Sequence, residues 1–422
     1  MNCTKNRHLL CLGYYFPPTR SPEAIVSAKR TAALKNWDVD FVTLEPTRIL
    51  GGYDPGLLEY VEQHFCAVER LKIPLWIRAL PTWLLVKLSL SPDWMSILSN
   101  KVFRHLIKMK PNQYDAFMSC SQSHSSHLVG LKVKKANPDI PWIAHFSDPW
   151  VDNPYVKLDE CQEDKERELE KEVFENADLL IFTSQETLEH VARSYSTSIH
   201  EKMRVLPHAF DADIIDELKL NNDLGQQDDS DVITIRHIGA LYGERSPVLF
   251  FEAVKKLIET EPTLMNQVRF ELIGPIDEAF KDVLSNKNID EDRVRICAPV
   301  TYFQSLQLIQ QSDILMVIDA PAKENIFLPS KLVDYIGAKK PIIALSPMGS
   351  TYNVVKKYGG FCASPEDVDD IAETLKHIIT RAVNCKDFSN DINHTIRDSF
   401  KVEKIGETLA SYIDDIVVRK DL

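Results

Sequence analysis

Glycine is scarce here, with 14 in a chain of 422 residues. That scarcity excludes a collagen-like or glycine-rich low-complexity chain. It also leaves the turn after the first apolar segment without the G-x-G-x-x-G pattern, so a nicotinamide dinucleotide fingerprint is missing. Cysteine is modest at eight, none in a C-x-x-C pair and none at zinc-ligand spacing from histidine. Reduced thiols and no resident metal are therefore expected, since a chain this long buries roughly three quarters of its unfolded surface without staples. No run of ~20 apolar residues exists, so no membrane-spanning helix is expected. The nearest approach, residues 74–90, is interrupted by Arg78, Pro81 and Lys87. The apolar run His8–Gly13 is short for a signal-peptide core and has no small-residue cleavage site, so it reads as a first strand. A cytoplasmic protein is the expectation.

Hydrophobic residues make up 44% and charged residues 26%, an ordinary globular composition. The net charge is −13, which by itself disfavours nucleic acid or an anionic membrane as partner. The charge is uneven, however. Residues 1–150 hold 18 Lys and Arg against 12 Asp and Glu, and the remainder holds 31 against 50. No nucleic-acid partner is expected, while the first third stays open to an anionic surface.

Short apolar segments alternate with longer amphipathic ones. Strands are expected near residues 8–13, 39–44, 116–120, 142–146, 179–182 and 204–206. After the polar stretch Asn221–Asp231 (NNDLGQQDDSD), read as a loop, the alternation restarts with strands near 232–238, 268–273, 294–297, 314–318, 341–345 and 360–363. Repeated βα units predict parallel sheets with helices on both faces. The expected class is α/β, with two facing doubly wound, Rossmann-like domains and a ligand cleft at the strand ends between them. Expected boundaries are 1–210, a polar linker 211–231, 232–400, and a C-terminal helix 401–422 that packs back on a domain.

Candidate site residues stand where strands end. The aromatic-proline loop Tyr14–Pro18 runs through Arg20 to Ser21-Pro22, a helix N-cap followed by proline at the first helical position. His145 and Asp148 lie in IAHFSDPW, either as a general base, as a holder of a sugar hydroxyl, or as a core histidine and a turn cap. Ser119–His127, with His124, is a hydroxyl-rich strand end and helix start whose amides suit an anion or are simply capped. Gly239 allows close backbone approach, and Arg245 follows where a diphosphate would need neutralising. In FLPSKLVDYIGAKKPII, Pro329-Ser330 opens a helix, Lys331 adds a cation, and Asp334 shares a helical face with Ser330 and Lys331, where it could accept a ribose diol. The alternative is a capped helix with a surface aspartate.

Taken in order, these segments resemble the retaining glycosyltransferases of family four, which have the GT-B fold. The resemblance covers most of the chain: Tyr14–Pro18, the helix with Arg30, His145–Trp150, Ala177–Ser184, Val205–Asp211, His237–Pro247, Phe270–Gly274 and Leu328–Ala344. It implies sugar transfer from a nucleotide-diphosphate donor with retained anomeric configuration, no cofactor and usually no metal. It further implies donor contacts from Gly239, Arg245, Ser330, Lys331, Leu332 and Asp334, catalytic roles for Asp148 and His145, and acceptor-side roles for Tyr15, Pro18, Arg20 and His124. The chain departs from the family at Ile326, eight before Asp334, where a first glutamate is usual and Glu324 is the nearest substitute. Ala240 stands for an arginine, Arg20-Ser21-Pro22 for glycines, and His145 and Ser147 for an aspartate and an arginine.

Residues 66–110 concentrate eight basic side chains (Arg70, Lys72, Arg78, Lys87, Lys101, Arg104, Lys108, Lys110) against Glu69 and Asp93, amid Trp76, Trp83, Trp94 and several leucines. This pattern fits either a peripheral anchor on an anionic membrane or a helical hairpin packed on the core. The expected partners are a nucleotide-sugar donor and a glycan or lipid-linked acceptor in surface polysaccharide biosynthesis. The competing readings are another GT-B enzyme, such as a nucleotide-sugar epimerase, and a non-catalytic binding scaffold.

Overall fold

The computed structural model describes residues 6–65, 67–87, 91–223, 232–286, 289–385 and 387–421. Two compact units divide the chain: Met1–Ala209 with Val402–Leu422, and Phe210–Lys401. The first unit holds a seven-stranded sheet of β1 (Arg7–Gly13), β2 (Trp37–Leu44), β3 (Ala67–Leu71), β4 (Ala116–Cys120), β5 (Trp142–Phe146), β6 (Leu179–Phe182) and β7 (Met203–Val205), in the order 3-2-1-4-5-6-7. The second holds six strands, β8 (Ile233–Ile238), β9 (Val268–Ile273), β10 (Val294–Cys297), β11 (Ile314–Ile318), β12 (Ile342–Leu345) and β13 (Phe361–Ala363), in the order 10-9-8-11-12-13. All pairs are parallel. Central strands such as β4, β5 and β11 are buried throughout. Parallel strands covered by helices on both faces require this continuous apolar run.

The sequence pattern missed β3. Its residues AVERL alternate exposed and half-buried positions, and it lies at the sheet edge, where charge is favoured. The 211–231 segment, read as a polar linker, is instead helical over Ala212–Asp223; residues 224–231 lie outside the described residues.

The last helix, Val402–Asp421, belongs to the first unit and packs against the helix Pro22–Ala32. The contact is close because Gly406 has no side chain: a Cβ there would lie 2.3 Å from the Ala33 carbonyl oxygen. Leu409 and Ile413 are fully buried, each contributing about 1.5–3 kcal/mol of transfer free energy. The ion pair of Lys35 with Glu407 is exposed on both sides and adds little.

Each sheet reverses its strand order once, between β1 and β4 and between β8 and β11. In parallel α/β sheets these reversals leave a crevice at the carboxyl ends of the strands.

Candidate functional site

In the second unit, the donor candidates gather at the β8/β11 reversal. β8 ends at Ile238, and Gly239 follows at φ +148°, a conformation open to glycine. A Cβ on Gly239 would lie 2.9 Å from Lys331 Nζ, so the lysine side chain runs over the glycine. Lys331 is the second residue of the helix Ser330–Gly337, whose N-cap, Pro329, offers no side-chain cap. The amides of Ser330 and Lys331 therefore point from the positive end of the helix with no intrahelical acceptor.

His237 Nδ1 lies 3.2 Å from the Met316 carbonyl, and its Nε2 lies 3.1 Å from Lys331 Nζ. Nδ1 thus donates to the carbonyl and Nε2 accepts from the lysine. Burial, with Lys331 and Arg245 nearby, holds the His237 imidazole well below its usual range and keeps it neutral. Burial, then Arg245, pushes the Lys331 ammonium down to about 7, against the pull of Asp319. Arg245 sits 5.8 Å over the Tyr242 ring, and its buried Nε has no hydrogen-bond partner among the described residues. Neither cation makes an ion pair among those residues. Two half-buried cations beside a free helix start form a site suited to an anion.

Leu332 departs from expectation, and Asp334 is nearly buried. The Leu332 side chain is fully buried in the apolar core and its amide donates to the Pro329 carbonyl at 3.1 Å, so Leu332 is a packing residue. Asp334 is only 6% exposed, and the Tyr302 hydroxyl donates to its Oδ1 at 3.4 Å.

A network not legible in the sequence fixes the loop before this helix. Asn325 Nδ2 donates to Asp319 Oδ2 at 2.8 Å and lies 3.0 Å from Thr351 Oγ1, and Ser346 Oγ donates to the same Asp319 oxygen at 2.9 Å. Ile326 is buried, while Glu324 is exposed.

In the first unit, the ends of β1, β4 and β5 gather the other candidates. Asp148 is half-buried after β5 and accepts from Gln122 Nε2. His145 has no exposed surface, and neither ring nitrogen has a partner among the described residues. Burial, then Arg30, His208 and His127, hold it well below its usual range. A neutral, sealed imidazole does not reach a sugar, so His145 serves the core and Asp148 remains the accessible candidate.

Pro18 is also buried, with its carbonyl accepting the Asp54 amide at 2.9 Å. Arg20 is exposed, and Tyr15 is half-buried with its phenol pushed up to about 12 by burial, Asp93 and Glu23. Ser21 is the N-cap of Pro22–Ala32, and its side chain makes no capping hydrogen bond among the described residues. His124 stacks on Trp150, centroids 5.1 Å apart, and burial lowers it to about 3. The helix start after β4 is not open to an anion. Asp93 already accepts from the Ser125 amide at 3.0 Å and from its hydroxyl at 2.8 Å.

Glu23 went unnoticed in sequence because an acidic first-turn residue is ordinary at a helix N-terminus. It is buried, within reach of Ser147, Ser27 and Arg30.

Solved structures share this architecture. HepE of Anabaena, in complex with UDP and glucose, aligns at 16% identity and TM-score 0.66 over 97% of this chain and all of its own. Sucrose-phosphate synthase of Thermosynechococcus elongatus aligns at 15% and 0.72 over 98% of this chain and all of its own. A glycosyltransferase of Rickettsia africae aligns at 10% and 0.65 over 98% of this chain and 99% of its own. The fold is GT-B. The sequence matches no protein-family model and no curated protein.

Proposed function

We propose that this GT-B chain is a retaining sugar transferase, moving a sugar from a nucleoside-diphosphate donor to a glycan or lipid-linked acceptor in surface polysaccharide building. The observation that carries the reading is the pair of cations, Lys331 and Arg245, without ion-pair partners among the described residues, at the start of the Ser330–Gly337 helix. Their chemistry suits a diphosphate, and the HepE structure holds UDP and glucose. In the reaction, the bond from the anomeric carbon to the diphosphate oxygen breaks and a bond to the acceptor oxygen forms. The acceptor proton passes to the departing diphosphate. Lys331 and Arg245 offset the charge that develops there, Asp334 receives the donor ribose, and Asp148 orients the acceptor hydroxyl. A strong protein nucleophile is not required, and no cofactor or metal enters this account.

The test is turnover of a nucleotide-sugar panel, UDP-sugars first, with and without lipid and glycan acceptors. Nucleoside diphosphate and a new glycoside of retained configuration, formed only with acceptor, are expected. Epimerised donor without acceptor identifies an epimerase, and tight donor binding without either product identifies a binding subunit.

We also propose that the first unit rests on an anionic bilayer surface. The short helices Leu75–Arg78 and Thr82–Lys87 bury Ile77 and Leu85 but leave Leu75 78%, Trp76 58% and Trp83 66% exposed. Lys101, Arg104, Lys108 and Lys110 are exposed on the helix that follows and at its end; each basic residue near an anionic leaflet adds about 1 kcal/mol. Arg70 and Arg78 are used internally, on the Pro17 carbonyl and on Glu45. Among the described residues no helix is long and apolar enough to cross a membrane. The chain is expected to float with phosphatidylglycerol-containing liposomes at low salt, and to do so less after Trp76→Ala with Trp83→Ala. Absence of flotation at low salt contradicts the anchor.

A further inference from the structure

The Glu23 carboxyl is a buried acid beside Asp148, and its hydrogen bonds define its state. Ser147 Oγ lies 2.7 Å from Glu23 Oε2 and 3.1 Å from the Ser121 carbonyl oxygen. A hydroxyl has a single proton and cannot donate fully to both. The contacts are satisfied together if Glu23 keeps its own proton. Its Oε2–H then donates to Ser147 Oγ, Ser147 donates to the Ser121 carbonyl, and Glu23 Oε1 accepts from Ser27 Oγ at 2.9 Å. The opposing influence is Arg30, whose Nη2 stands 3.7 Å from Oε1. That distance is beyond a hydrogen bond, and both Arg30 terminal nitrogens are buried without partners among the described residues.

We infer that Glu23 is a positioning residue that acts as the neutral acid: through the Ser147 hydroxyl it pins the turn carrying Asp148, leaving Asp148 as the charged carboxylate of that turn. The positioning role rests on the proposed transferase reading; the protonation state does not. Burial is the main influence on Glu23 and raises it from 4.5 to about 7, with Arg30, Ser147 and Ser27 pulling it down and Asp148 pushing it up. The titratable and charged groups facing it are Arg30 on its own helix, Asp148 after β5, Tyr15 after β1 and Cys120 at the end of β4. If Glu23 ionises, Ser147 must turn its proton from the Ser121 carbonyl to the carboxylate, and a second negative charge sits beside Asp148.

The experiment compares the melting temperature of the full chain with that of Glu23→Gln across pH. An acid whose folded pKa is raised holds its proton more tightly folded than unfolded. Wild type therefore loses stability relative to the non-titrating amide as pH rises from 4.5 to about 7, with no further change above. The gap is expected to widen by about 5 °C or more in favour of the variant. Glu170, also raised to about 7 by burial, is common to both chains and cancels. A gap that stays flat, or widens in favour of wild type, overturns the inference, because Glu23 is then an ordinary carboxylate paired with Arg30. Glu23→Met, uncharged and of similar length, repeats the measurement if the glutamine variant does not fold. Failure of both to fold also overturns it, since a neutral acid is replaceable by a neutral side chain. For turnover at saturating donor, where the bound diphosphate keeps Lys331 protonated, wild type is expected to decline above about pH 7 and Glu23→Gln to lose that decline. A decline that persists in Glu23→Gln removes the positioning role. A chain that turns over no sugar nucleotide fails the transferase reading alone, and the melting comparison still decides the protonation state.

Discussion

Lys331→Ala weakens nucleoside-diphosphate binding by about 1–3 kcal/mol, roughly 5- to 150-fold, the range for a lost charge-assisted hydrogen bond. The side chain runs over Gly239 at the end of β8, donates to neutral His237 and stands near Arg245. It is a desolvated cation held near a second cation, a costly arrangement until an anion arrives. The same geometry gives a pH signature. With the free ammonium lowered to about 7, the protonated fraction falls as pH rises above that value. Affinity then drops by up to about tenfold per pH unit, until the pKa of the complex, raised by the bound anion, is reached. Lys331→Arg stays charged throughout and removes the slope. Calorimetric titration with UDP checks both effects. Unchanged affinity in Lys331→Ala contradicts the site assignment, as does an affinity that rises above pH 7 in wild type.

Asp148→Asn has the second large effect. It is expected to lower turnover about 100-fold, within the range for a side chain that orients or handles a reacting proton. Donor affinity is expected to stay within twofold, because Lys331 and Arg245 belong to the other unit. The asparagine keeps the size of the side chain and its contact with Gln122 while removing the charge. Turnover and UDP affinity measured on the same preparation separate the effects. Full turnover, or an equal loss of donor affinity, contradicts an acceptor-side role.

The alternation of apolar strands and amphipathic helices made both parallel sheets legible, because fully buried strands such as Ile314–Ile318 have no polar position to confuse the period. Pro329-Ser330-Lys331 was legible as a helix start for a local reason: proline before an uncapped first turn carries its own signal. Other features depended on distant contacts. Leu332 follows Lys331 by one residue, yet the helical turn carries it into the core. His145 looked polar at a strand end but is sealed beside Arg30 and His127. Asp93, 32 residues before Ser125, takes the helix start that looked free. The Asp319–Ser346 and Glu23–Ser147 contacts join residues far apart in the chain. No local pattern reveals such pairs, whereas burial and distance do.

The most direct test of the central claim is a crystal structure of the full chain grown with UDP. The account predicts the diphosphate at the end of β8, its oxygens within hydrogen-bond distance of Lys331 Nζ and of the Ser330 or Lys331 amide, with Arg245 alongside. A nucleotide bound elsewhere, with Lys331 still donating to His237, would contradict it.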